Sequence, residues 1–310
     1  MPDDPAKPRP GRGFVAREGR YNVLSFRTGE RSLMPRRPLV GKRMLVTGAS
    51  QGIGRAVAVA AARKGCRVLA AARTAELLSA LATEVRAAGG VIETVVADVA
   101  TPVGREAMRD AAVAAFGGLD ILVNNAGVGA TGHFVECDPA TLRAIFEVNL
   151  FGTCELTRLC LPLLRAGTQP LVVNVSSVLG RRGYPARSFY SASKFAIQGW
   201  SDALRAELSP HGVGVLVVNP GLTRTNFGRN MLERSARLPL DHLRGMSPDD
   251  VATATLRAIE KDKSEITLTF RGKLLLLVNR VAPWVFEVIA RKKVRRLFAA
   301  EIAARENAKG

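Results

Sequence analysis

Aromatic residues make up only 5% of this 310-residue chain, and it holds just three histidines and four cysteines. Cys66, Cys137, Cys154 and Cys160 form no CxxC pair and have no histidine cluster nearby. That pattern argues against a structural zinc site and predicts reduced, intracellular thiols, with no metal expected. His133, His211 and His242 are scattered and read as ordinary surface residues. Acid is also scarce, with 27 Asp and Glu against 45 Lys and Arg and a formal net charge of +18. Such an excess suits nucleic acid, an anionic membrane or an anionic cofactor, and it also raises solubility, so alone it selects no function. No zinc-finger spacing, RNA-binding aromatic signature or long basic block accompanies it, so no nucleic-acid partner is expected. The first 33 residues lack any apolar run, and neither a secretory signal nor a membrane anchor is expected there. Met34 stands just before the ordered pattern begins. Translation is expected to start at it, leaving the upstream segment dispensable.

From Lys42 onward the chain alternates short apolar runs with longer helical patterns. Six strand candidates end at Ala49, Ala72, Ala97, Asn125, Ser176 and Asn219. Their near-continuous apolar character fits parallel strands covered on both faces. Alanine-rich amphipathic stretches at about 53–64, 75–88, 103–116, 139–165 and 190–208 separate them. This βαβ rhythm predicts an α/β, Rossmann-like doubly wound parallel sheet. A flexible basic tail is expected over 1–40 and a single catalytic domain over 41–262. Residues 263–310 are read as a last strand followed by an amphipathic basic extension.

The first strand runs directly into TGASQGIG at 47–54 and then into a helix. Glycines there let the backbone approach a pyrophosphate, while the helix N-terminus offers free N–H groups and partial positive charge. A tight turn packed for structural reasons is the rival reading. Farther along, Tyr190 and Lys194 stand four residues apart in YSASK, thirteen positions after Ser177. At i and i+4 they project from one helix face, so the ammonium can favour the phenolate. Moving a phenol from about 10 to about 7 requires roughly 4 kcal/mol of differential stabilisation. A Tyr–Lys pair of this spacing also occurs in many helices with no catalytic role.

The order TGASQGIG, Asp98-Val99, NNAG at 124–127, Asn149, Ser177 with Tyr190 and Lys194, and Pro220-Gly221 with Thr225 resembles the short-chain dehydrogenase/reductase family from about Lys42 to Ala258. The resemblance implies an oxidoreductase in which Asn149, Ser177, Tyr190 and Lys194 are catalytic. It implies dinucleotide contacts from Gly48, Ser50, Gln51, Gly52, Ile53 and Gly54, from Arg73, Asp98 and Val99, and from Asn125, Ala126 and Gly127. Tyr190, Lys194, Pro220, Gly221, Thr223 and Thr225 complete that set. Ser176 competes with Ser177, and spacing together with the family pattern selects the latter. Asn149 reads either as a hydrogen-bonded core amide or, by resemblance, as the residue that bends its helix and serves a proton relay from the Lys. Asp98 reads either as an adenine contact or as a helix-entry residue.

The end of the second strand reads the cofactor's 2′ position, and here it carries Ala72 and Arg73 instead of a carboxylate. With nothing to repel a 2′-phosphate and a guanidinium to grip it, NADP(H) is favoured over NAD(H). Gln51 is neutral where many NADP-binding relatives carry a second basic residue. Arg73 could also be a solvated helix-entry charge.

The expected reaction is reduction of a hydrophobic ketone or aldehyde, with Leu222, Phe227, Met231, Leu232, Leu238 and Leu240 covering the pocket. The reverse alcohol or hydroxysteroid oxidation, and a catalytically silent nucleotide-binding scaffold, stay open as alternatives. A homodimer or homotetramer in the cytoplasm is expected. In the stretch from Arg271 the apolar portion is interrupted by Asn279, Arg280, Pro283 and Glu287, which argues against a bilayer span. It reads as a helix resting at an anionic membrane surface through Trp284 and RKKVRR, or as a subunit-contact or pocket-lining helix.

Overall fold

The computed structural model describes residues 37–236 and 245–307. The expected tail up to residue 36, the Met34 start, His242, Leu238 and Leu240 lie outside them; the end of the expected tail is corrected, because Leu39 is buried in the core and Arg37 is buried with Nη1 2.6 Å from Asp262 Oδ1. Six strands form where the apolar runs predicted them: β1 (Arg43–Thr47), β2 (Arg67–Ala72), β3 (Val91–Val96), β4 (Ile121–Asn124), β6 (Leu171–Val175) and β7 (Gly214–Asn219). Two-residue strands β5 (Ala130–Thr131) and β8 (Glu233–Arg234) and the short β9 (Glu265–Thr267) complete the set among the described residues.

The main sheet is parallel throughout and runs in the order β3-β2-β1-β4-β6-β7-β9. Strand order reverses between β1 and β4, and a crevice opens outside the carboxyl ends of strands at such a switch point. Alternation along each strand divides the core between two faces. Met44, Val46, Val68, Ala70 and Val123 pack with α1 (Gly52–Arg63), α2 (Ala75–Ala87) and α7 (Pro248–Glu260). Leu45, Leu69, Leu122 and Val172 pack on the opposite face with α3 (Pro102–Phe116), α5 (Gly152–Arg165) and α6 (Ser188–Leu208). The fold is therefore the doubly wound α/β sandwich that the rhythm predicts.

The edge of the sheet away from the crevice is fastened by charge. Asp120, just before β4, accepts from Arg43 Nη2 at 2.8 Å, Arg43 Nε at 3.0 Å and Thr168 N at 2.8 Å. Burial would push this carboxyl up, but those hydrogen bonds overcome it and hold Asp120 below its ordinary value.

The long helix expected over 139–165 is instead two, α4 (Pro139–Phe146) and α5, joined by a wide π turn over Glu147–Phe151. Such a bulge re-aims side chains, here around the buried Asn149. The C-terminal stretch likewise divides, into α8 (Phe270–Val281) and α9 (Pro283–Asn307), because Pro283 has no N–H with which to continue the first helix. No helix among the described residues is long and apolar enough to cross a membrane.

These terminal helices dock onto the body at named points. Phe298 is buried edge-on against His133, with ring centroids 4.7 Å apart, so His133 is a packing residue and not the ordinary surface residue its position suggests. Arg182 donates to Glu287 at 2.7 Å and to Asn279 at 3.1 Å while lying over the Phe286 ring.

Candidate active site

The turn after β1 is shaped by glycine where a side chain cannot fit. Gly48 and Gly52 hold φ of +64° and +60°, the left-handed region. A Cβ on Gly54 would fall 2.3 Å from Asn125 Nδ2 and 2.4 Å from the Gly48 carbonyl oxygen. Thr47 and Asn125 lock this turn to the end of β4. Thr47 Oγ1 accepts from Asn125 N and Ala126 N, both at 3.0 Å, and Asn125 Nδ2 donates to the Thr47 and Gly48 carbonyls at 2.9 and 3.2 Å. Gln51 begins α1 without a side-chain cap, and the first turn holds no acid. Its leading N–H groups thus meet a cleft with unopposed positive character, which suits a pyrophosphate.

One cavity of about 430 Å³ runs from this turn to YSASK. It is lined by every catalytic and dinucleotide-contact residue named from sequence except Gly54 and Asn149. Gly54 faces Asn125 and the Gly48 backbone, so its place is to let the turn close rather than to touch a ligand. Asn149 stands behind the wall. Its Nδ2 donates to Val128 O at 3.0 Å and Ser193 Oγ at 2.9 Å, and its Oδ1 accepts from Val128 N at 2.8 Å. Asn124 is structural, donating to Thr157 Oγ1 at 3.0 Å and Asn174 Oδ1 at 2.9 Å.

Beyond β2, Arg73 is 67% exposed and its Nη1 lies 3.8 Å from Asp98 Oδ2. The expectation that no carboxylate stands near the 2′ position is therefore corrected: the end of β2 lacks one, but the loop after β3 brings Asp98 beside it. Asp98 also accepts from Ala100 N at 2.9 Å, fixing the loop from which Val99 packs inward.

At the other end, Ser177, Tyr190 and Lys194 converge on the cavity and are all buried. Ser177 follows β6 and its Oγ accepts from Leu179 N at 3.1 Å, while the Ser176 hydroxyl is taken up by the Lys194 carbonyl, to which it donates at 3.2 Å. Tyr190 and Lys194 lie one turn apart on α6, with Lys194 Nζ 5.8 Å from the phenol ring centroid. That ammonium donates to Val175 O at 2.9 Å.

The lowering of the Tyr190 phenol by Lys194 that helix spacing suggests is not found. Burial pushes the phenol up, and hydrogen bonding with Ser177 and the charge of Arg187 draw it partly back. Lys194 is itself pushed down to about 8 by burial. The reason is geometric: the pair shares a helix face, but the ammonium bonds a backbone carbonyl and both groups are desolvated.

Loop 220–230 covers the remaining wall. Thr225 Oγ1 accepts from Phe227 N at 3.3 Å, and the Phe227 ring lies 5.4 Å from that of Tyr190. Leu222 and Phe227 line the cavity as expected, but Met231 and Leu232 do not. Met231 Sδ instead takes the Thr131 hydroxyl at 3.1 Å, and Leu232 N is drawn to Gly129 O at 2.9 Å beside the β5–β8 pairing. Among the lining residues that sequence reasoning missed are Tyr184 and Arg187. Arg187 stands three positions before Tyr190, so a search of that helix face would have found it.

The family model of the short chain dehydrogenases matches residues 42–236. The ketoacyl reductase HetN of Nostoc sp. is 34% identical, covering 79% of this chain and 86% of that protein. Dehydrogenase/reductase SDR family member 7B of Bos taurus is 33% identical, covering 82% of this chain and 81% of that protein. Among solved structures, a Burkholderia phymatum short chain dehydrogenase/reductase in complex with NAD aligns with a TM-score of 0.71 at 28% identity, covering 78% of this chain and 94% of that one. A Burkholderia cenocepacia short chain dehydrogenase in complex with NADP gives 0.66 at 31% identity, over 74% of this chain and 97% of that one.

Proposed function

The chain belongs to the short-chain dehydrogenase/reductase family, oxidoreductases that use a nicotinamide dinucleotide, and we propose that it reduces a hydrophobic ketone or aldehyde with NADP(H). The observation that carries this reading is the convergence of Ser177, Tyr190 and Lys194 on a cavity that also holds the uncapped glycine turn.

When bound, the dinucleotide supplies the hydride. In the reading proposed here, residues 48–53 hold its pyrophosphate, Arg73 its 2′-phosphate, and Asp98 with Val99 its adenine. Asn125, Ala126 and Gly127 border a ribose, and Pro220, Gly221, Thr223 and Thr225 wrap the nicotinamide. Tyr190 donates its proton to the carbonyl oxygen as negative charge develops there, and Ser177 donates a hydrogen bond to the same atom. Lys194 holds the nicotinamide ribose, while Asn149 braces the wall through Val128 and Ser193.

The preference for NADP(H) rests on Arg73 and is moderated by its neighbour Asp98. The same reading takes the residues before Arg37 as a tail, 37–262 as the catalytic domain and 263–310 as strand plus extension, in a cytoplasmic homodimer or homotetramer. The four free cysteines fit a reducing compartment. Exposed Leu277, Val281, Trp284 and Ile289, with Arg280, Arg291 and Lys292, support peripheral contact of α8 and α9 with an anionic bilayer. Flotation with anionic vesicles, with and without residues 271–310, tests that contact.

NADPH oxidation with carbonyl compounds from small aldehydes to steroids and long-chain ketones tests the reaction. Turnover of at least one carbonyl compound supports the reading, and NADPH binding without any turnover contradicts it.

A further inference from the structure

Arg187 is a buried charge on the cavity wall that hydride transfer does not use. It is 9% exposed, its Nε makes no hydrogen bond, and it enters no salt bridge among the described residues. A guanidinium has five N–H donors and keeps its charge, so burying one without an acid is costly unless an anion arrives. Asp98 is the one carboxylate among the described residues lining the cavity, and it stands beside Arg73 at the other end.

The backbone delivers Arg187 to this place. Ala186 holds φ +59°, a left-handed conformation that a residue with a Cβ seldom adopts. Its carbonyl accepts from Gly132 N at 3.0 Å, which pins the strained turn to the end of β5. The chain then enters α6 with Arg187 at the cap, no side-chain cap bond and no acid in the first turn. Helix charge and guanidinium therefore reinforce each other beside Tyr190. The Tyr184 and Tyr190 phenols flank it, and burial pushes the Arg187 guanidinium down from its ordinary value.

We propose that Arg187 is an anion receptor in the substrate half of the cleft, and that the carbonyl substrate carries a carboxylate or phosphate which this guanidinium grips. The inference rests on the reductase reading. A planar fork pairs with either anion through two parallel hydrogen bonds, fixing where the carbonyl lies relative to Tyr190 and Ser177. Leu179, Leu222 and Phe227 line the cavity too and take the carbon skeleton.

The test uses the full chain with NADP+ bound, which cannot reduce a ketone, and measures by calorimetry the affinity for a keto acid, a ketone phosphate monoester and the methyl ester of the same keto acid. Turnover of the three is followed separately with NADPH. The expected result is about 10- to 100-fold tighter binding of one or both anions than of the ester, with the better anion naming the substrate group. Arg187→Gln reduces that ratio to within about threefold, and Arg187→Lys restores part of it because charge survives without the fork. A ratio near one in the unaltered protein overturns the proposal, and this result needs no variant to fold. So does a preference that persists in Arg187→Gln, or an Arg187→Gln loss of NADPH affinity equal to its loss of keto-acid affinity. Discrimination in binding without turnover supports the receptor and defeats the reductase reading; turnover without discrimination does the reverse.

Discussion

At the carboxyl ends of β1, β2 and β4 the cleft wall is mostly main chain: glycines at positive φ, an uncapped helix start, and backbone groups tied down by the side chains of Thr47 and Asn125. Past β6 and β7 the wall is side chain: Ser177, Tyr184, Arg187, Tyr190, Lys194, Leu222 and Phe227. Backbone reads what all dinucleotides share, a pyrophosphate, and does so through geometry that few substitutions can imitate. Side chains from loops and one helix read what differs among substrates. The two ends therefore break in different ways.

The largest expected effect separates chemistry from cofactor binding at the side-chain end. Tyr190→Phe is expected to lower turnover by about 1000-fold while NADPH affinity, read by fluorescence titration, stays within about threefold. Asp120→Asn lies at the far edge of the sheet, away from both ends. It leaves Arg43 short of its charged partner and costs about 3 kcal/mol of folding stability, read by urea denaturation, with Km for NADPH in the folded enzyme unchanged. The Asp120 carboxyl is held below its ordinary value, so its contribution is present above about pH 4 and is lost as pH falls through its folded value. Asp120→Asn should flatten that acid limb. Gly54→Ala forces a Cβ against Asn125 Nδ2 and the Gly48 carbonyl and is expected to weaken both NADPH and NADH about tenfold, because it deforms the shared turn. Arg73→Asp is expected to weaken NADPH about fivefold more than NADH, a smaller effect because Arg73 is largely exposed. Equal losses of the two cofactors would remove Arg73 from the 2′ site.

The backbone end was the more legible in sequence, for a physical reason. A turn that needs glycine at fixed positions writes itself into the chain as TGASQGIG, and a buried parallel strand writes itself as an unbroken apolar run. Tyr190 and Lys194 were legible because one helix carries both. What sequence hid depends on distant partners. Asp98 approaches Arg73 only when β2 and β3 pair, and His133 meets Phe298 only once α9 docks. β5 and β8 are too short to carry a pattern. The upward push on the Tyr190 phenol comes from burial, which helix spacing does not reveal. The π turn at Asn149 was written only as an amide in an apolar run.

The most direct test of the central claim is transfer of label from NADPH carrying deuterium at the nicotinamide carbon that donates hydride, using a carbonyl compound that the turnover screen identifies. The account predicts one deuterium on the carbinol carbon of the alcohol product. An alcohol formed without deuterium from either face of the labelled cofactor would contradict it.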